Sequence, residues 1–129
     1  MSDGQGRTGL MSERTDNWIA AYRTAWESNA PDDIRALFTE NASYRTKPHA
    51  EPWVGHDGIV AGWREAADEP GDATFDWHLV AETGDLAFVE GVTRYRDDED
   101  YSNLWIIEFA PDGRATGFTE WWMTRPSGV

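Results

Sequence analysis

Near the end of the chain one carboxylate stands among large apolar groups: Phe118, Glu120 and Trp122 alternate with Thr119 and Trp121. Alternate residues of a strand share a face, so Glu120 shares its face with two aromatics. If that face lines a cavity, loss of water raises the carboxyl pKa toward neutrality and makes Glu120 a usable general acid or base. Trp105, on the preceding strand, falls on the same face. The competing reading is a structural glutamate satisfied by a backbone amide or by an arginine such as Arg45. Tyr44, Asn103 and the histidines are the candidates for the polar remainder of such a cavity.

Other chemistries find little support in these residues. His49, His56 and His78 are spaced unlike any common zinc pattern, so no metal site is expected. His78 alternates against Phe75, Trp77 and Leu79, and points outward if they point inward. No Gly-rich phosphate loop and no Gly-x-Ser-x-Gly elbow occurs, which leaves nucleotide cofactors and serine nucleophiles without a signal. The sequence contains no cysteine, which removes disulfides, thiolate zinc sites and cysteine nucleophiles together. No cofactor is expected.

A chain of 129 residues makes one domain with a real core. Its eight tryptophans either fill that core or line a pocket for an apolar ligand. A formal charge of −13 disfavours nucleic acid and anionic membrane surfaces as partners. No apolar run reaches bilayer length and the N-terminus lacks a signal-peptide core, so the expected location is cytoplasmic.

The elements that must position these groups follow from periodicity. Residues 1–11 and 126–129 read as tails around a domain spanning 12–125. From Ser12, Trp18, Tyr22 and Trp26 recur every four residues as an aromatic helix stripe. Packing against a sheet accounts for Trp18 and Trp26, whereas a buried Tyr22 needs a partner for its hydroxyl. Pro31-Asp32-Asp33 opens a short second helix, expected to carry Ile34, Leu37 and Phe38 and to stop near residues 39–41. Ala42–Lys47 alternates as a strand with Tyr44 and Thr46 on one side. A third helix opens at Gly55-His56-Asp57-Gly58 and ends before Pro70-Gly71. Strands follow at about 74–82, 86–96 and in a closing hairpin turned by Pro111-Asp112-Gly113. The acidic run at residues 97–100 reads as a solvated loop. Helices early and strands late give an α+β fold, a curved antiparallel sheet wrapped over three helices with a conical space between.

Ala36-Leu37-Phe38-Thr39-Glu40-Asn41-Ala42, Gly55-His56-Asp57-Gly58-Ile59, and Asp112-Gly113-Arg114 leading to Phe118-Thr119-Glu120-Trp121-Trp122 resemble the SnoaL-like branch of the nuclear transport factor 2-like superfamily. The resemblance covers about residues 12–125. It implies a cone-shaped α+β barrel, a homodimer formed through the sheet, and an internal pocket for a small hydrophobic molecule. Against the superfamily's ketosteroid isomerases, Tyr22 falls on the oxyanion-hole tyrosine. Thr46 falls on the catalytic aspartate and cannot act as a base. Trp105 falls on the second oxyanion donor and keeps an indole N–H. Steroid isomerisation by that mechanism is therefore not expected.

The combined reading makes Glu120 and Tyr22 the catalytic pair. Tyr44, Thr46, His49, Trp53, Trp63, Trp77, Asn103, Trp105, Phe118 and Trp122 are the substrate-binding wall. Two function classes stand: a cofactor-independent isomerase, cyclase or hydrolase acting on a small hydrophobic carbonyl or epoxide compound, and a non-catalytic ligand-binding or dimeric scaffold protein.

Overall fold

A computed structural model describes residues 10–67, 71–96 and 99–126, and all structural statements below concern those residues. Helix α1 spans Leu10–Ser28 and buries Trp18, Ile19, Tyr22 and Ala25 along one face, the i, i+3/i+4 spacing that the aromatic stripe predicts. Asn29, at φ 53°, ends it in the left-handed region that asparagine tolerates, with its N–H on the carbonyl of Ala25 at 2.7 Å. Helix α2 is a single turn, Pro31–Arg35, with proline at its start and Asp32 and Asp33 against its positive end.

One boundary differs from the sequence reading. Phe38 to Asn41 belong not to α2 but to strand β1, Phe38–Arg45. Phe38 pairs with Ala115, and the Ala115 N–H donates to the Leu37 carbonyl at 2.8 Å, so sheet pairing captures residues whose spacing also suits a helix. A two-residue strand β2, Trp53–Val54, precedes helix α3, Gly55–Glu65. Then come β3 (Ala73–Thr83), β4 (Leu86–Tyr95), β5 (Tyr101–Phe109) and β6 (Ala115–Thr124). The Pro111-Asp112-Gly113 turn joins the last two, with Gly113 at φ 91° and the Ala110 N–H on the Arg114 carbonyl at 2.7 Å.

The six strands form one sheet in the order β2-β1-β6-β5-β4-β3, antiparallel except for the β1–β6 pair, which is parallel. Register shifts at Leu79/Ala81, Glu108/Phe109 and Phe38/Ser43 bend it. Its concave face is stacked in rows. Ala87, Ile107 and Phe118 form a fully buried row beneath α1; Val89, Trp105 and Glu120 form the next; Gly91, Asn103 and Trp122 lie beyond. Burial declines along that series, and the cavity opens where the apolar rows end. No helix is long and apolar enough to cross a membrane.

Candidate active site

The concave face and α1 enclose a cavity of about 290 Å³, and Glu120 is the one acidic residue in its lining; Arg, Lys and His are absent from the lining. Strand β6 delivers Glu120 in register with Trp105 on β5, between the buried Phe118 and the half-exposed Trp122. The alternation read from the sequence thus holds in space.

Two side chains fix the carboxylate. Thr93 Oγ1–H donates to Asn103 Oδ1 at 2.7 Å, and Asn103 Nδ2–H donates to Glu120 Oε2. The buried Trp105 indole N–H lies near enough to favour the ionised carboxylate but reaches no hydrogen-bond acceptor. Burial outweighs both donors and pushes the Glu120 pKa up to about 7, so the group divides between acid and base near neutral pH. Arg45 does not neutralise it; that guanidinium turns away and donates to the Ala50 carbonyl at 2.7 Å.

Tyr22 finds its partner in Tyr44. Their hydroxyls are 2.7 Å apart, and one donates to the other while the acceptor keeps its own proton to offer. Both phenols are held well above their ordinary pKa, chiefly by burial, with the Glu120 charge adding to the shift. They therefore act as neutral donors rather than bases. Phe118 stacks on both rings, at 5.7 Å from Tyr22 and 4.7 Å from Tyr44. Trp53 covers the far face of this group, stacked on Tyr44 at 4.8 Å. Its indole lies flat on Gly62 of α3, where an added Cβ would come within 2.3 Å of the ring. Trp63 is held by its N–H on Asn29 Oδ1 at 3.0 Å.

Of the residues expected in the site, the structure brings together Tyr22, Tyr44, Thr46, Trp53, Trp63, Asn103, Trp105, Glu120 and Trp122. Three are placed elsewhere. Phe118 is buried one row deeper, supporting the cavity from below. Trp77 packs from the sheet edge against the core and does not reach the lining. His49 is exposed, because the turn that brings the Ala50 N–H to the Lys47 carbonyl faces it to solvent. His78 lies on the outer face, 3.2 Å from Glu90, as parity requires. No three His, Cys, Asp or Glu side chains of the described residues come close enough to hold a metal ion.

The lining also includes Trp26, Asn29, Ala66, Ala67, Thr93, Tyr95 and Tyr101. Parity held the signal for some of these. Tyr101 alternates with Asn103 and Trp105, and Thr93 and Tyr95 with Val89 and Gly91. Trp26 shares the stripe of Tyr22, and its ring both packs against Phe75 and reaches the lining. Ala66 and Ala67 carry no chemical signature and enter only because α3 ends at the mouth.

With this geometry in place, the relatives can be identified. The sequence profile of the SnoaL-like domain matches residues 19–125, and the chain belongs to that family, within the nuclear transport factor 2-like superfamily. A search of curated proteins found no sequence match. Among solved structures, an NTF2-like protein of unknown function from Burkholderia xenovorans superposes with a TM-score of 0.71 at 16% identity, covering 94% of this chain and 91% of that one. The epoxide hydrolase/cyclase-like enzyme SalBIII, which takes part in pyran ring formation in the polyether salinomycin, gives 0.69 at 17% identity over 88% and 93%. A steroid delta-isomerase from Pseudomonas aeruginosa gives 0.60 at 18% identity over 88% and 81%. At these identities the likeness is one of fold.

Proposed function

We propose that this protein is an acid/base catalyst acting on a small hydrophobic compound with a carbonyl or epoxide oxygen, with Glu120 moving the proton. The observation that supports this is a carboxyl group poised at a pKa of about 7 in an aromatic cavity lined by no basic residue. An acid/base of that pKa works in both directions at neutral pH. The substrate oxygen takes its hydrogen bonds from the Trp105 N–H and from the free hydroxyl proton of the Tyr22–Tyr44 pair. Thr46 has no basic group to contribute, which directs the reading away from the ketosteroid isomerase mechanism and toward isomerisation, cyclisation or epoxide opening around Glu120.

The same proposal includes a cytoplasmic homodimer. Its support is the absence of cysteine and an outer sheet face that carries Phe88, Val92, Leu104 and Ile106 in neighbouring rows with Trp121 and Met123, the last two 49% and 67% exposed.

The test is a turnover screen of apolar carbonyl and epoxide compounds with the native protein and Glu120→Gln. Loss of a general acid/base removes about 10²–10⁴-fold in rate, so equal turnover by both proteins defeats the proposal. A carboxyl-carbon titration of Glu120 at or below about 4.3, the ordinary glutamate value, also removes the acid/base claim and leaves the non-catalytic ligand-binding reading.

A further inference from the structure

The cavity places a single enclosed carboxylate among tryptophan and tyrosine rings and supplies no cation to pair with it. Nine aromatics, the tryptophans Trp26, Trp53, Trp63, Trp105 and Trp122 among them, surround the space into which Glu120 projects. A buried carboxylate without a counter-charge is costly, and a protein ordinarily relieves that cost with an arginine or lysine. The arginines of the neighbouring strands have their partners elsewhere: Arg45 donates to Ala50, and Arg94 pairs with Asp76 and Asp100. Asn103, which donates to Glu120, and the nearby Trp105 N–H both favour its ionised form. The local groups are thus arranged for a carboxylate with no positive partner in the cavity lining among the described residues.

From this arrangement we infer that the cavity binds apolar amines that are positively charged at neutral pH, with the ammonium group against Glu120 and its carbon substituents against the aromatic rings. Electron-rich rings attract organic cations in addition to covering their apolar surface. The chain's charge of −13 adds long-range attraction for a cation and repulsion for an anion. The Trp105 N–H, which has no acceptor in the protein, takes an oxygen carried near the amine, as in an amino ketone or amino alcohol. This inference rests on the cavity being a small-molecule site, the first half of the function proposed above, and is independent of turnover there.

The pH dependence gives the inference its signature. Besides Glu120, the titratable groups that face the cavity are Tyr22 of α1, Tyr44 of β1, Tyr95 of β4 and Tyr101 of β5. Tyr22 and Tyr44 are held neutral far above physiological pH. Between about pH 6 and 8 the ligand's affinity therefore follows the ionised fraction of Glu120. For a group with a pKa of about 7 that fraction rises about tenfold across the window, and apparent affinity rises with it. A neutral oxygen compound accepting a proton from Glu120 shows the opposite slope.

The experiment titrates the native protein with benzyltrimethylammonium and with its neutral isostere neopentylbenzene, following tryptophan fluorescence and calorimetry across that pH range. The expected result is tighter binding of the cation, strengthening about tenfold from about pH 6 to 8, and loss of that slope in Glu120→Gln. Equal or tighter binding of the neutral isostere, or cation binding that ignores pH, overturns the amine inference while leaving the cavity a small-molecule site. Failure of both probes to bind overturns the inference together with the small-molecule reading beneath it.

Discussion

Asn103 meets Glu120 with its amide nitrogen while its Oδ1 accepts the Thr93 hydroxyl at 2.7 Å. The relay runs across three adjacent strands, β4, β5 and β6, and sets which face of the amide the carboxylate sees. It holds the Glu120 pKa below the level that burial alone would give. Asn103→Leu removes the donor and keeps the volume, so the Glu120 pKa should climb above about 7 in a carboxyl-carbon NMR titration. An unchanged midpoint would show that the hydrogen bond to Asn103 is not felt by the carboxylate.

Trp105 owes its ring orientation to a missing side chain. Phe75 stacks on it at 4.5 Å with 16° between the planes, and an added Cβ on Gly91 would come within 2.5 Å of the Phe75 ring. The carbonyl of Asp76 is 3.0 Å from the same point, so the strand cannot easily yield. Gly91→Ala should destabilise the protein by about 1–3 kcal/mol, the usual cost of overpacking, and change the near-ultraviolet circular dichroism of the stacked rings. Thermal melts that coincide with the native protein's would mean that Phe75 has room to shift.

How far the sequence disclosed this site depends on the kind of signal. Strand parity placed Glu120, Trp105, Asn103 and Trp122 on one face, because a period of two survives any curvature of the sheet. It could not give depth along the face. Phe118 has the right parity but lies one row into the core, and Trp77 sits at the sheet edge. The α+β architecture was legible from element order, whereas the parallel pairing of β1 with β6 joins residues some 75 apart and leaves no local mark. Tyr22 as a residue in need of a partner was legible; that Tyr44 supplies it depends on how α1 crosses β1.

The outer sheet face makes a separate prediction about assembly. Trp121 is half exposed and lies beside Leu104 on the face opposite Glu120. Under the homodimer proposal this patch is covered by a second copy. Native protein should then sediment as a dimer at micromolar concentration, and Trp121→Glu, which sets a charge in the middle of that patch, should sediment as a monomer with unchanged far-ultraviolet circular dichroism. A native monomer would rule the interface out.

Burial of Glu120 also leaves a mark on stability with a definite sign. Its folded-state pKa of about 7 lies above the ordinary glutamate value of about 4.3. Between those values the folded state holds more protons than the unfolded state, so stability falls as pH rises through that window. The usual structural carboxylate, with a depressed pKa, does the reverse. The gap between those two pKa values corresponds to roughly 3–4 kcal/mol, as an upper limit for a group that keeps some access to solvent. Glu120→Gln has nearly the same shape and no charge to desolvate, and subtracting its stability curve from the native one cancels every other titrating group. The difference should be small near pH 4.5 and should grow to favour the glutamine variant by up to that amount at about pH 8. Urea titrations of the two proteins at several pH values measure it directly. A difference that is flat with pH, or that favours the native protein as pH rises, would establish that Glu120 is a satisfied structural carboxylate and not the poised group that the acid/base proposal requires.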